Sequence, residues 1–303
     1  MNTTAPGLAQ EIVMALVEAS PVRHRISPEQ MQAIKQVDHF NKSEYQSLDL
    51  NAVLNFYTVN FVDPLLCLID HPKAVADIGT GYGWLALAFA LETNAKVIAM
   101  EYDASRLAAA QKIAAIMGVS EKIEWIVGSI SQVPLEDRAV DAVYCIEVIE
   151  HTGVDQSFIR ELARVTNDVL VITTPNKAFP AIHHDTSLPF CHWLPLRARN
   201  VYAAFFGRLS LQHNNYFWSP LTLLPALKDF QRVSRFLHFT TYAQYRKAKA
   251  DAAEQRTGLA EQCRERYFGL AAKLGRYSLF VMPNMASTFR RRDTGTGRPA
   301  FQQ

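Results

Sequence analysis

The 303-residue sequence predicts an α/β fold built on a doubly wound, mostly parallel sheet. Short β-branched runs alternate with helical stretches between residues 74 and 176, the pattern of strand–helix–strand units. The first run opens into Asp77-Ile78-Gly79-Thr80-Gly81-Tyr82-Gly83, with glycine at every second position. A content of 49% hydrophobic and 20% charged residues is enough to build one extended domain around a sizeable core.

Residues 1–70 read as helices laid over the mouth of a site, an N-terminal lid. Ser27-Pro28-Glu29-Gln30 is a helix-start signature, with Ser27 as N-cap, Pro28 at the first position and Gln30 reaching back. Behind it, His39, Tyr45 and Tyr57 are candidates to face the pocket. Val75 to Ile78 then reads as a buried parallel strand, and the glycines after it let backbone approach a ligand without a Cβ in the way. The helix that follows, Trp84 to Leu91, places its N-terminus against that ligand. The dinucleotide spacing G-x-G-x-x-G is not met, because Trp84 and Ala86 stand where its last glycine would fall.

The second strand, Lys96 to Met100, ends at Glu101-Tyr102-Asp103. A carboxylate at that strand tip can accept both hydroxyls of a ribose, which assigns Glu101 to the sugar and Asp103 to the cap of a helix over Ala104 to Met117. The third strand, Ile123 to Val127, leads into Gly128-Ser129-Ile130, and the fourth, Ala139 to Ile146, runs into Glu147, Glu150 and His151. Asn167 and Asp168 are expected to turn the chain into a fifth strand, Val169 to Thr173, which ends at Thr174-Pro175-Asn176.

The D-x-G-x-G-x-G loop resembles the first motif of class I S-adenosylmethionine-dependent methyltransferases. The segment from Ala139 to His151 resembles the fourth-strand motif of the ubiquinone-biosynthesis type O-methyltransferases and related bacterial methyltransferases. The resemblance implies a seven-stranded sheet of order 3-2-1-4-5-7-6, closed by a strand at Tyr277 to Met282. It divides the chain into a lid (1–70), a methyltransferase domain (71–285) with a substrate-binding insertion (176–218), and a flexible tail (286–303) to which the run Arg290-Arg291-Arg292 adds a solvated end. It also implies S-adenosylmethionine as cofactor, held by Asp77, Gly79, Thr80, Gly81, Gly83, Glu101, Tyr102, Ser129, Ile130, Ile146 and Glu147. Ser129 stands where the family usually has an acidic residue.

The methyl group of a sulfonium is already an activated electrophile, so the protein has to align an acceptor and supply a base. In the insertion, His184 or His183 oriented by Asp185 is the expected base, with His151 as a further candidate. A helix starting at Glu147 would also put Glu147, Glu150 and His151 on one face, an alternative in which a divalent metal is bound there.

A net charge of +2 gives no field for nucleic acid, so the expected partner is a small-molecule, lipid-linked or glycan acceptor. Aromatics in the insertion admit peripheral contact with a membrane, and no segment is apolar enough to span one. Four dispersed cysteines, Cys67, Cys145, Cys191 and Cys263, read as reduced thiols of a cytoplasmic protein. Oligomeric state is left open. Two other readings compete: a catalytically silent cofactor-binding scaffold, and a nucleotide-dependent oxidoreductase disfavoured by Trp84 and Ala86.

Overall fold

The computed structural model describes residues 25–38, 40–182, 186–208, 216–252 and 259–292. Seven strands form one sheet: β1 (Ala74–Ile78), β2 (Lys96–Glu101), β3 (Ile123–Val127), β4 (Val140–Ile146), β5 (Thr166–Thr173), β6 (Phe230–Arg232) and β7 (Ser287–Arg291). Their order is β3-β2-β1-β4-β5-β7-β6, as expected. Strands β3 through β5 are parallel, and β7 runs antiparallel to both β5 and β6.

The helices that matter for the site are α1 (Pro28–Lys35), α2 (Leu50–Tyr57), α3 (Trp84–Glu92), α4 (Ala104–Ile116), α5 (Gln156–Val165), α6 (Leu196–Phe205), α7 (Tyr242–Ala252) and α8 (Leu259–Lys273). Strand residues alternate between two cores. Val75, Val97, Ala99 and Tyr144 pack with α2, α3 and α4, whereas Ala76, Ile78, Ile98 and Val143 pack with α5. Every residue of α3 from Trp84 to Ala90 is buried, because the sheet lies on one side and the N-terminal helices on the other. The Tyr144 hydroxyl, deep in that core, donates to the Phe61 carbonyl at 3.0 Å, so its burial leaves no polar group unsatisfied.

Local signals placed the helix starts well. The Ser27 hydroxyl accepts from the Gln30 amide at 3.2 Å while the Gln30 side chain accepts from the Ser27 amide at 3.0 Å. Asp103 caps α4 by accepting from the Ser105 and Arg106 amides. A short helix over Pro220–Leu223 begins at Ser219, whose partner is Thr222.

Three expectations are corrected. Tyr277 to Met282 is not the closing strand: most of it lies in a 3-10 turn over Gly275–Phe280. The Asn176 side-chain amide donates to the Leu279 and Met282 carbonyls at 2.9 and 2.8 Å, taking groups that a strand would offer to the sheet. The closing strand is β7, so the sheet extends past residue 285 into the segment expected to be tail. Its arginines are built in: Arg290 makes a two-pronged pair with Asp168 at 2.8 Å on each prong, and Arg291 donates to the Ala163 and Thr166 carbonyls. Finally, Asn167 and Asp168 form no turn but belong to β5, which starts directly after α5 with the Thr166 hydroxyl donating to Leu162.

Candidate active site

The glycine loop leaves β1 at its carboxyl end and is held from below by β2. The Gly79 and Thr80 amides both donate to the Met100 carbonyl, at 2.8 and 3.0 Å. The Gly81 amide donates to one oxygen of the Glu101 carboxylate at 2.9 Å, and the Tyr102 and Asp103 amides donate to the other at 3.1 and 3.2 Å. Glu101 is thereby fixed at the strand tip, and the remaining lone pair of the oxygen that accepts from Gly81 is available to a hydroxyl donor.

Two glycines of the loop serve different ends. A Cβ on Gly79 would come within 2.3 Å of the Val148 side chain, so that position is small for packing across the loop. A Cβ on Gly81 would meet nothing within 4 Å, and the residue has φ +58. The backbone at Gly81 therefore borders open space beside the Glu101 carboxylate. That is the shape required for a nucleoside laid against main chain with its sugar on an acid.

Asp77 lies beneath the loop. Its carboxylate accepts from the Thr80 hydroxyl at 2.6 Å and from the Ala86 amide in the first turn of α3. Burial pushes its pKa up to about 7; the Thr80 hydrogen bond works against that, and the charge of Glu101 adds to it. In the protein alone, Asp77 thus joins the loop to the start of α3.

The facing wall comes from the ends of β4 and β5. Glu147 has φ +54, and its amide donates to the Thr173 carbonyl at 3.0 Å. No helix starts there: residues Ile149–His151 make a single 3-10 turn. Glu150 is turned inward, 2% exposed, with one oxygen accepting from the Thr174 hydroxyl at 3.0 Å, and its carboxyl feels the charge of Glu147. Burial first and the Glu147 charge second hold the Glu150 carboxyl well above the ordinary range. His151 is exposed. The one-face arrangement of Glu147, Glu150 and His151 required for a metal is therefore not formed, since it depended on the helix. Among the described residues no cluster of His, Cys, Asp and Glu has metal-site geometry.

The N-terminal helices reach this site through Tyr57 at the end of α2. Burial, then the charges of Asp77 and Glu147, push its hydroxyl pKa upward, placing it among both carboxylates. Tyr45 is further out, stacked on Phe40 at 4.9 Å and edge-on to Tyr82 at 5.3 Å. Tyr102 is exposed, the Ser129 hydroxyl bonds that of Ser131 at 2.9 Å, Ile130 is buried, and Ile146 is half-buried against the core. His39, His183, His184 and Asp185 lie outside the described residues.

Sequence reasoning missed Asn284, whose side chain donates to Glu147 at 2.8 Å and accepts from the Thr174 amide at 3.3 Å. It sits 137 residues from Glu147, and nothing local to it carried a signal. Val148, which fills the space over Gly79, was missed too, although it lies inside the motif that was read.

A doubly wound sheet with a glycine loop at the end of β1 and an acid at the tip of β2 defines a nucleoside-cofactor domain at the topological switch point between β1 and β4. Residues 75–168 match the family model of the methyltransferase domain. Ajmaline N-methyltransferase of Rauvolfia serpentina is 30% identical over 114 residues, 35% of this chain and 39% of that protein. A probable S-adenosylmethionine-dependent methyltransferase of Mycobacterium tuberculosis is 30% identical over 128 residues, 42% of this chain and 44% of the other. A crystal structure provisionally named sarcosine dimethylglycine methyltransferase, from Galdieria sulphuraria, superimposes with a TM-score of 0.50 at 15% identity, over 80% of this chain and 87% of that one. The chain carries a class I S-adenosylmethionine-dependent methyltransferase domain. It spans less than half the length of these curated relatives.

Proposed function

We propose that the protein transfers the methyl group of S-adenosylmethionine to an oxygen of a small-molecule, lipid-linked or glycan acceptor. The observation that carries the cofactor half is the open face of Gly81 beside a Glu101 carboxylate fixed by three backbone amides. The adenosyl group would lie against this backbone with its ribose hydroxyls on Glu101 and its adenine near Ser129 and Ile130. The methionine end then points toward the wall of Glu147 and Ile146. An oxygen acceptor is supported by the chemistry of that wall: a hydroxyl must lose its proton during transfer, and Glu147 and Glu150, where burial and the neighbouring charge raise the Glu150 pKa, bring carboxyl oxygens there to take it. His184 or His183, with Asp185, from the insertion side, and His151 from the turn after β4, are candidates for the same role.

An amine acceptor is the second reading, favoured by the half-buried Glu147 carboxylate beside Glu150, which would attract a cation. Calorimetry with S-adenosylhomocysteine tests the cofactor: binding is expected, and a wild-type protein that does not bind it overturns the proposal. Transfer of a labelled methyl group to hydroxyl and amine acceptor panels decides the atom. Loss of turnover in His184→Ala with retained cofactor binding would place the base in the insertion.

A further inference from the structure

We infer that the exposed face of the insertion docks on an anionic lipid surface. Of the residues in α6, only Ala203 is buried. Ala198, Val201 and Phe205, spaced three and four apart, form one exposed stripe along it, with Val201 72% and Phe205 82% exposed, and Leu194 is exposed just before the helix. Phe190 and Trp193, both half in solvent, pack their rings 5.0 Å apart just before the helix. A second stripe lies on α8 and the turn after it, where Tyr267, Leu270, Leu274 and Tyr277 are exposed. The two border the same loop: Trp193 donates its indole N–H to the Lys177 carbonyl at 2.6 Å, and the Phe179 ring lies 6.3 Å from that of Tyr267.

Apolar surface this extensive marks a contact site. Its charge selects the occupant. Residues 186–208 contain Arg197, Arg199 and Arg208 and no acid. On the other stripe Arg276 lies 4.9 Å over the Tyr277 ring, and the Glu265 carboxylate is already taken by Arg246 and Lys249. Two copies meeting through this face would set arginine against arginine. Aromatic rings with cations and few free acids instead match the boundary between acyl chains and anionic headgroups. The insertion is rooted on the site, since Trp218 bridges Asn176 and the Tyr216 amide donates to the Glu150 carbonyl at 2.5 Å. A membrane-borne acceptor would therefore be presented at the mouth of the pocket. Docking itself does not depend on the methyl-transfer reading, because it is measured without cofactor or turnover.

Cosedimentation of the full chain with phosphatidylcholine vesicles, with and without phosphatidylglycerol, tests the inference. Pelleting is expected with the anionic vesicles, and it should weaken as salt is raised. Phe205→Ser and Leu270→Ser each remove an exposed apolar group without touching the core, so circular dichroism should stay unchanged while vesicle affinity drops roughly tenfold. Arg197→Glu should reduce binding to anionic vesicles alone. Failure of the wild type to pellet, or pelleting unaltered in all three variants, overturns the inference. So does a solution dimer that Phe205→Ser dissociates in a protein that binds no vesicle.

Discussion

Gly81 and Gly118 have the same backbone requirement and different surroundings. Both have positive φ, +58 and +73, and an added Cβ at either meets nothing within 4 Å. Alanine at either position should therefore cost about 1–2 kcal/mol of stability through the left-handed conformation alone. On the proposed cofactor placement Gly81 borders the ligand and Gly118 does not, so Gly81→Ala should also weaken S-adenosylhomocysteine by roughly tenfold or more, while Gly118→Ala leaves affinity unchanged. Melting curves and calorimetry on the two variants check this; equal affinity losses would mean that Gly81 acts only through the fold. At this scale the sequence was readable where function is local. Asp103 and Ser27 cap the helices they precede, as their positions require, and Glu101 stands at the strand tip where the loop amides reach it. Asp77 was legible as important, but its bond to Thr80 and burial under the loop depend on chain that folds back over it.

Much of the parallel half was legible for the same reason: β1, β2 and β4 are each bounded by turn residues and followed by a helix, whereas β5 starts directly after α5 and its first residues were read as a turn. The antiparallel edge was not. β7 takes its place through partners far away in sequence, with Leu170 opposite Phe289 and Arg232 opposite the same residue from the other side. Its Ser-Thr-Phe-Arg-Arg sequence looks like the start of a charged tail until Asp168 is brought beside Arg290. Ending the chain at residue 285 should abolish cooperative melting, because it strands β6 and uncovers β5. A double-mutant cycle of Asp168→Ala and Arg290→Ala should return a coupling of about 1–2 kcal/mol, consistent with a two-pronged, largely covered pair. A coupling near zero would mean that the strand is held by backbone pairing, Phe289 and the Arg291 hydrogen bonds without help from the pair.

Across the whole molecule, two buried groups tilt stability in opposite directions with pH. His238 stacks on Phe61 with ring centroids 4.7 Å apart, and burial pushes its pKa down to about 3. Between that value and its ordinary value near 6.5 the unfolded chain binds a proton that the folded one refuses, so stability falls as pH falls, by about 3 kcal/mol near pH 4. Asp77 has the reverse sign. With its pKa raised to about 7, the folded chain keeps a proton that the unfolded chain releases near pH 4, so stability falls as pH rises between those values, by about 4 kcal/mol in all. Glu150, raised by burial and by Glu147, adds to the second slope. The wild-type curve is a sum, and difference curves separate its parts. His238→Phe keeps the ring stack, and its melting temperature should gain on wild type progressively as pH drops below 6.5. Asp77→Asn should gain on wild type as pH rises from 4 to 7 in the absence of cofactor. If cofactor binding brings a positive charge near Asp77, saturating S-adenosylhomocysteine should lower the Asp77 pKa and narrow the second difference while leaving the first untouched. Melting temperatures of the three proteins across that pH range, with and without ligand, measure all of this. A His238→Phe difference that is flat with pH would mean that the buried imidazole carries a proton after all, and an Asp77→Asn difference that is flat would remove the link between loop charge and stability.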